Sequence, residues 1–279
     1  MLLLIDAGNT RIKWALAAAA AGGVPVPAAG LGRWAACGAV LHADVGTLAR
    51  HWGSAPVHAV LIANVAGAGM HAALVQQVEA LRQPAAGSAW HDAPRVHWFA
   101  SGAHVAGVLN AYRLPEQLGC DRLAALVGAR ALRPRQALVV VVCGTATTVD
   151  ALTAEGEFIG GMILPGPGLM AASLARNTAQ LPAVAAMVSA PESSAESLGA
   201  VPMFADNTDD AIASGCLSAQ AGAIERAVKA HGGAHCLLSG GAAALVASRL
   251  AVAFTAVDNL VLIGLQVVAA SSDIPCKGN

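Results

Sequence analysis

Apolar positions along this 279-residue chain fall into two rhythms, solid blocks and helical stripes, and their order predicts an alternating α/β protein. LLLID at 2–6 is a solid block that ends on an acid. RIKWALA at 11–17 follows across Gly8 and Asn9, residues that tolerate positive φ, so the pair reads as a buried strand and its hairpin return. VHAVLIANVA (57–66) reads as a second buried strand. In MHAALVQQVEALRQ (70–83), Leu74, Val78 and Leu81 share one helical face, and VHWFASG (96–102) resembles a strand end. Around residue 118 the pattern restarts. GCDRLAALVGARAL is helical with Asp121 near its start, and ALVVVVCGTATTVDALT is a buried strand, a Gly-Thr turn and a returning strand. FIGGMILPGPG runs into the helix LMAASLARNT. A loop around PESSAES precedes a long helix from about Asn207 to Ala230, and strand HCLLSGG, a helix, the short strand AFTAV and a final helix from Asp258 close the chain.

LLLIDAGNTRIKWAL and VVVVCGTATTVDAL share one plan: buried strand, glycine turn carrying an amide or hydroxyl, returning strand. Aligned on Gly8 and Gly144, each offers a phosphate-sized loop, and the pair suggests a duplicated fold with a nucleotide held between the copies. Two hairpins arising independently would look the same. Length permits two domains or one large one.

Composition narrows the class. Apolar residues make 56% and charged residues 12%, the reverse of a disordered chain. No apolar run spans a bilayer, and Asp6 interrupts the N-terminal block where a secretory signal would continue, so a cytoplasmic protein is expected. Net charge is −1, and the densest basic stretch, RALRPRQ from 130, reads as a solvated loop, so neither nucleic acid nor membrane is expected as a partner. The six cysteines form no C-x-x-C pair, and HGGAHC (231–236) reads as a turn rather than a zinc site.

There is no G-x-x-x-x-G-K-[ST]. GPGLMA (166–171) matches G-x-G-x-x-A but lacks the following acid-terminated strand, and reads as a structural turn. DAGNTRIK carries more. Asp6 at a strand end can hold Mg²⁺ through water, the loop offers N–H groups and a hydroxyl to phosphate, and Lys13 supplies a point charge. An ordinary hairpin turn accounts for everything but Lys13. Asp121 has two readings, a helix N-cap or a base accepting the proton of an alcohol that attacks a γ-phosphate.

Taken together, the motifs DAGNTRIK, AYRLPEQLGCDR, CGTATTVD, GGMILPG, TAQLP, DNTDDAIASG, SGGAAALV and DNLVLIGL resemble, in order and spacing, the type III pantothenate kinases. These belong to the superfamily of acetate and sugar kinases, actin and heat-shock chaperone ATPases. The resemblance implies two ribonuclease H-like domains, expected at 1–118 and 119–279, with the nucleotide in the cleft between them. It also implies transfer of the ATP γ-phosphate to pantothenate, giving 4′-phosphopantothenate, the first step toward coenzyme A. Asp6, Ala7, Gly8, Asn9, Thr10, Arg11, Ile12, Lys13 and Thr145 would bind ATP, with Asp6 holding Mg²⁺ through water. Tyr112, Gly119, Cys120, Asp121, Arg122 and Thr208 would bind pantothenate, with Asp121 as proton acceptor, and Thr208 would do so within a homodimer. Members of the family commonly carry an Asp as monovalent cation ligand two residues before the Gly-Thr; here Val142 stands there, which puts a K⁺ or NH₄⁺ requirement in doubt. The alternatives are a kinase for another small alcohol and a non-catalytic or regulatory nucleotide-binding protein of the same fold.

Overall fold

A computed structural model describes residues 1–18, 26–53, 55–81, 94–178, 181–184 and 201–271. The PESSAES loop, part of TAQLP and Cys276 lie outside these residues. The chain divides into two compact units, Met1–Arg133 with Leu260–Asn279, and Pro134–Asn259.

In the first unit, β1 (Leu2–Ala7) is the central strand, and every residue of it but Asp6 is buried. It pairs antiparallel with β2 (Arg11–Ala17), and β2 pairs antiparallel with β3 (Ala36–Leu41). On its other side β1 runs parallel to β4 (Ala59–Asn64), which runs parallel to β5 (Arg95–Trp98). The order is therefore β3-β2-β1-β4-β5. A 3₁₀ helix (His42–Thr47) and α1 (Leu48–Trp52) follow β3, and α2 (Gly67–Ala80) follows β4. Met70, Leu74 and Val78 of α2 pack with Leu3, Ile5, Ile62 and Trp52 in one core. A short hairpin, β6 (His104–Val105) and β7 (Val108–Asn110), turns through Ala106 and Gly107, both at positive φ as such a tight turn requires. Helix α3 (Cys120–Leu132) completes the first long segment.

The second unit repeats the plan. β8 (Leu138–Cys143) is central and pairs antiparallel with β9 (Ala146–Leu152), which pairs antiparallel with β10 (Glu157–Pro165). After α4 (Pro167–Asn177) and α5 (Thr208–Ala230), β11 (His235–Ser239) lies parallel to β8. Helix α6 (Ala243–Ala247) then leads to β12 (Phe254–Ala256), parallel to β11. Strands β1, β2, β3, β4 and β5 thus correspond to β8, β9, β10, β11 and β12 in both neighbour and direction. The hairpin similarity seen in the sequence is a duplication of a ribonuclease H-like sheet. Its second core joins Val139, Val141, Cys143, Ile212, Leu217, Ile224 and Leu238.

The domain boundary expected at 118 falls instead at 133/134, because the last helix returns to the first unit. Helix α7 (Leu260–Ala270) is apolar on all sides, hence buried. Its one long polar side chain, Gln266, accepts the Gly32 N–H (3.0 Å) and donates to the Gly30 carbonyl (3.3 Å). It packs on α3 at backbone distance: a Cβ at Gly264 would lie 1.7 Å from the Ala124 carbonyl oxygen, and one at Gly128 2.7 Å from that of Leu260. Strand β3, mostly exposed and built largely of small residues, lacks the branched apolar run of a buried strand, and α1 is only five residues long, which is why the sequence pattern does not announce them.

Glycine position decides the sign of a Gly→Ala change. Gly264→Ala forces two helices apart and should cost about 3 kcal/mol or more. Gly222→Ala, exposed on α5 with nothing within 4 Å of its Cβ position, should stabilise by about 0.5–1 kcal/mol. Denaturant unfolding of both variants checks the opposite signs.

Candidate active site

Asp6 is the one acid in a strand whose other residues are buried, and it stands directly opposite Lys13 in the β1–β2 register. Burial pushes its carboxyl up to about 7; the Lys13 charge pulls the other way and the Asp121 charge adds to the rise. Charged side chains from β2 and α3 therefore both act on Asp6 of β1. Of the loop expected to bind ATP, Asn9, Thr10 and Arg11 are exposed and Gly8 half-buried. Ala7 and Ile12 are fully buried and paired across the hairpin, so their side chains hold the strands together and cannot face a phosphate.

Asp121 is the second residue of α3. The N-cap position belongs to Gly119, so the cap reading of Asp121 is corrected: its Oδ1 accepts the Arg122 N–H (2.8 Å) within the first turn instead. Burial raises its pKa, and the hydrogen bond from Arg122 with that residue's charge opposes the rise. A Cβ at Gly119 would sit 2.6 Å from Asp121 Oδ1, so a larger residue there would push the carboxyl out of its present place. The Cys120 thiol donates to the Asn64 carbonyl (3.8 Å) and is pushed up to about 11 by burial, so it stays protonated and ties α3 to the end of β4. Asn64 in turn accepts the Ala66 N–H (2.9 Å) and donates to the Gly67 carbonyl (3.1 Å), folding the chain into α2.

Arg122 is buried; its Nη1 donates to the Tyr112 hydroxyl (3.1 Å), and its guanidinium lies 5.7 Å from the ring centroid. Tyr112 is set by Asn110, which accepts the Tyr112 N–H (3.2 Å) while its amide donates to the carbonyls of Gly102 (3.3 Å) and Pro115 (2.9 Å). Asn64 and Asn110 escape a reading of motifs. The available signals are an amide at a strand end before a glycine, and one two residues before the tyrosine.

In the second unit the Gly144–Thr145 loop is enclosed by backbone. Gly166 donates its N–H to the Thr145 carbonyl (2.8 Å), and a Cβ at Gly166 would lie 2.2 Å from the Gly144 oxygen. Gly240, at φ +103, is as close to the Cys143 carbonyl, with 2.3 Å to a Cβ. The glycine of the GPGLMA turn thus serves loop packing, as the structural reading expected. Val142 is half-buried, opposite Thr148 and Ser239 on the neighbouring strands, and offers no oxygen of its own side chain. Thr208 is exposed as the first residue of α5, after Asn207, whose side chain accepts the Asp210 N–H (3.0 Å). It borders a groove of about 790 Å³ lined mainly by Pro165, Met170, Leu174, Leu181 and Ile212. In HGGAHC, His231 contacts the Leu152 carbonyl (3.0 Å) and His235 the Thr255 hydroxyl (2.8 Å), partners that suit a turn.

Residues 2–230 match the sequence pattern of the type III pantothenate kinases. A type III pantothenate kinase of Herminiimonas arsenicoxydans is 50% identical over 275 residues, covering 96% of this chain and 97% of its own. One from Janthinobacterium sp. (strain Marseille) is 50% identical over 284 residues, covering 99% and 100%. The chain belongs to the type III pantothenate kinases. It is an enzyme that phosphorylates pantothenate at the expense of ATP, and neither a scaffold nor a kinase for another alcohol is favoured. Among solved structures, a Baf family protein from Campylobacter jejuni aligns with TM-score 0.55 at 16% identity, over 95% of this chain and 96% of its own. The ethanolamine utilization protein EutJ from Carboxydothermus hydrogenoformans aligns with TM-score 0.53 at 12% identity, over 97% and 89%. At such identities they speak for the fold alone.

The raised Asp6 pKa sets a stability signature. The metal-free fold holds that proton more tightly than the unfolded chain does. The stabilisation is fully present below the ordinary carboxylate range, about 4, and is lost as pH rises toward about 7. Relative to the parent, Asp6→Asn, which never ionises, should gain nothing below about pH 4, begin to gain by pH 5 and unfold at clearly higher temperature near pH 8, in the presence of a chelator. Thermal unfolding across that range checks it, and an unchanged difference between the two proteins would contradict it.

Proposed function

We propose that Asp121 accepts the proton of the pantothenate primary hydroxyl as it attacks the γ-phosphate of ATP. The observation that carries the reading is the convergence of Asp6, Lys13 and Asp121 from three separate elements, with Arg122 and Tyr112 linked beside Asp121. A desolvated carboxylate is a stronger base than a solvated one, and the loose transition state of phosphoryl transfer asks it chiefly for position. The first loop, Gly8–Arg11, cradles the phosphates, and Lys13 offsets their charge. Arg122 and Tyr112 hold the substrate, whose carboxylate suits a buried guanidinium.

Asp6 fits Mg²⁺: a carboxylate that burial makes costly to ionise, only partly offset by Lys13, is the kind of ligand Mg²⁺ uses together with water and phosphate oxygens. Bound there, the ion would neutralise phosphate charge. Thr145 contributes its hydroxyl to ATP from the second loop. Thr208 reaches pantothenate within a homodimer. That assembly is supported by apolar surface on the second unit around Phe204 (94% exposed), Met203 and Ile163 beside the groove next to Thr208. A cytoplasmic location suits this metabolism, and no helix among the described residues is long and apolar enough to cross a membrane.

Turnover should depend on pantothenate, and Asp121→Asn should lower kcat by about 10²–10⁴-fold while leaving ATP binding in place. Phosphate transfer from labelled ATP, measured with and without pantothenate, checks both; an active Asp121→Asn would require another base. With Val142 in place of an oxygen ligand, activity should persist when potassium is replaced by tetramethylammonium. A strict potassium requirement would contradict that reading of Val142.

A further inference from the structure

Beyond the motif residues, one side chain grips the first phosphate loop from outside it. His42 Nε2 lies 2.7 Å from the Gly8 carbonyl oxygen, across 34 residues of sequence. A carbonyl only accepts, so Nε2 carries the proton, in the neutral ring as in the imidazolium. The topology delivers it there. In the β2–β3 register, Leu41 stands opposite Arg11, the first residue after the loop, so the next residue along β3's exit faces the turn. His42 also opens the 3₁₀ helix leading into α1, whose Leu48 and Trp52 are sunk in the first unit's core. The Ala49 N–H is held by Gln77 Oε1 at 3.2 Å. The histidine thus reaches the loop from an anchored base.

The other end of the loop is tied from the opposite side, where the Ala7 carbonyl accepts the Val65 N–H (3.1 Å) beyond β4. Two successive carbonyls of the turn are therefore fixed, toward β4 and toward His42. A trans peptide sets its N–H antiparallel to its C=O, so fixing the Gly8 carbonyl on His42 directs the Asn9 N–H away from the histidine. Glycine at position 8 leaves that peptide free to rotate unless something outside the loop holds it.

We propose that His42 is a positioning residue for ATP, locking the Gly8–Asn9 peptide so that the loop meets the phosphates already oriented. The inference rests on the reading of Gly8–Arg11 as a phosphate loop. Pre-orienting a binding loop lowers the cost of ordering it, so the effect falls on ATP affinity and not on pantothenate.

Steady-state kinetics with both substrates varied, on the full-length protein, test it with His42→Ala, His42→Gln, His42→Asn and Lys13→Ala. His42→Ala should raise the KM for ATP about five- to tenfold, one hydrogen bond's worth, with the KM for pantothenate unchanged. His42→Gln, whose amide nitrogen can stand near the Nε2 position, should restore the parent value to within about twofold, and His42→Asn, too short, should behave like alanine. Should His42→Ala fail to fold, the glutamine and asparagine variants make the same comparison. A glutamine variant as impaired as asparagine, or both KM values rising together, overturns the proposal. An ATP KM raised in Lys13→Ala but unmoved in His42→Ala overturns the proposal alone. An ATP KM unmoved in Lys13→Ala overturns the phosphate-loop reading, and the proposal with it.

Discussion

A carboxyl held where water cannot fully reach it is the constraint on which the first unit turns. Asp6 sits in a strand built to be buried, and the cost of ionising it there is offset in part by Lys13 across the hairpin and increased by Asp121 at the start of α3. Such a carboxylate is unfavourable as a charged object, which is the physical ground for the cation proposed beside it. The same burial that makes Asp6 a costly anion also raises the Asp121 carboxyl, as the role proposed for it requires. The two acids share burial and differ in their partners: Asp6 faces a lysine, and Asp121 a backbone N–H and an arginine.

The positions of these groups depend on how closely backbones approach one another. Helix α3 can present Asp121 where it does because Gly128 and Gly264 let α7 lie against it without side chains between. Gly119 clears the space that the Asp121 carboxyl fills. In the second unit Gly166 and Gly240 do the same for the Gly144–Thr145 loop. Each unit therefore carries its loop on a sheet of the same topology, but supports it differently. The first loop is held by hydrogen bonds from Val65 and His42, the second by backbone packed at glycine distance.

Much of this was legible in the chain. Solid apolar blocks around LLLI and LVVVV gave the central strands, and the glycine turns after them gave the hairpins, because a buried strand leaves an unmistakable run. The duplication was visible for the same reason. The motif residues Asp6, Lys13, Tyr112, Asp121 and Arg122 do come together in the first unit. Three things were not legible. The return of α7 to the first unit is a long-range packing event whose only trace is a glycine on each helix, so the boundary was placed too early. Gly119, not Asp121, holds the cap position, because a carboxylate can serve the first turn from inside it. Asn64, Asn110 and His42 act through backbone carbonyls and N–H groups far along the chain, and nothing local in the sequence marks such a partner.

The desolvated Asp6 carboxyl is the claim on which the chemistry rests, and it can be observed directly. Carbon-13 NMR of the metal-free protein with labelled aspartate, assigned by comparison with Asp6→Asn, would follow that carboxyl through a pH titration. A midpoint near 7 is the result expected from burial opposed by Lys13. A midpoint near 4, that of a solvated aspartate, would mean that water reaches the group freely and that the site is not assembled as described.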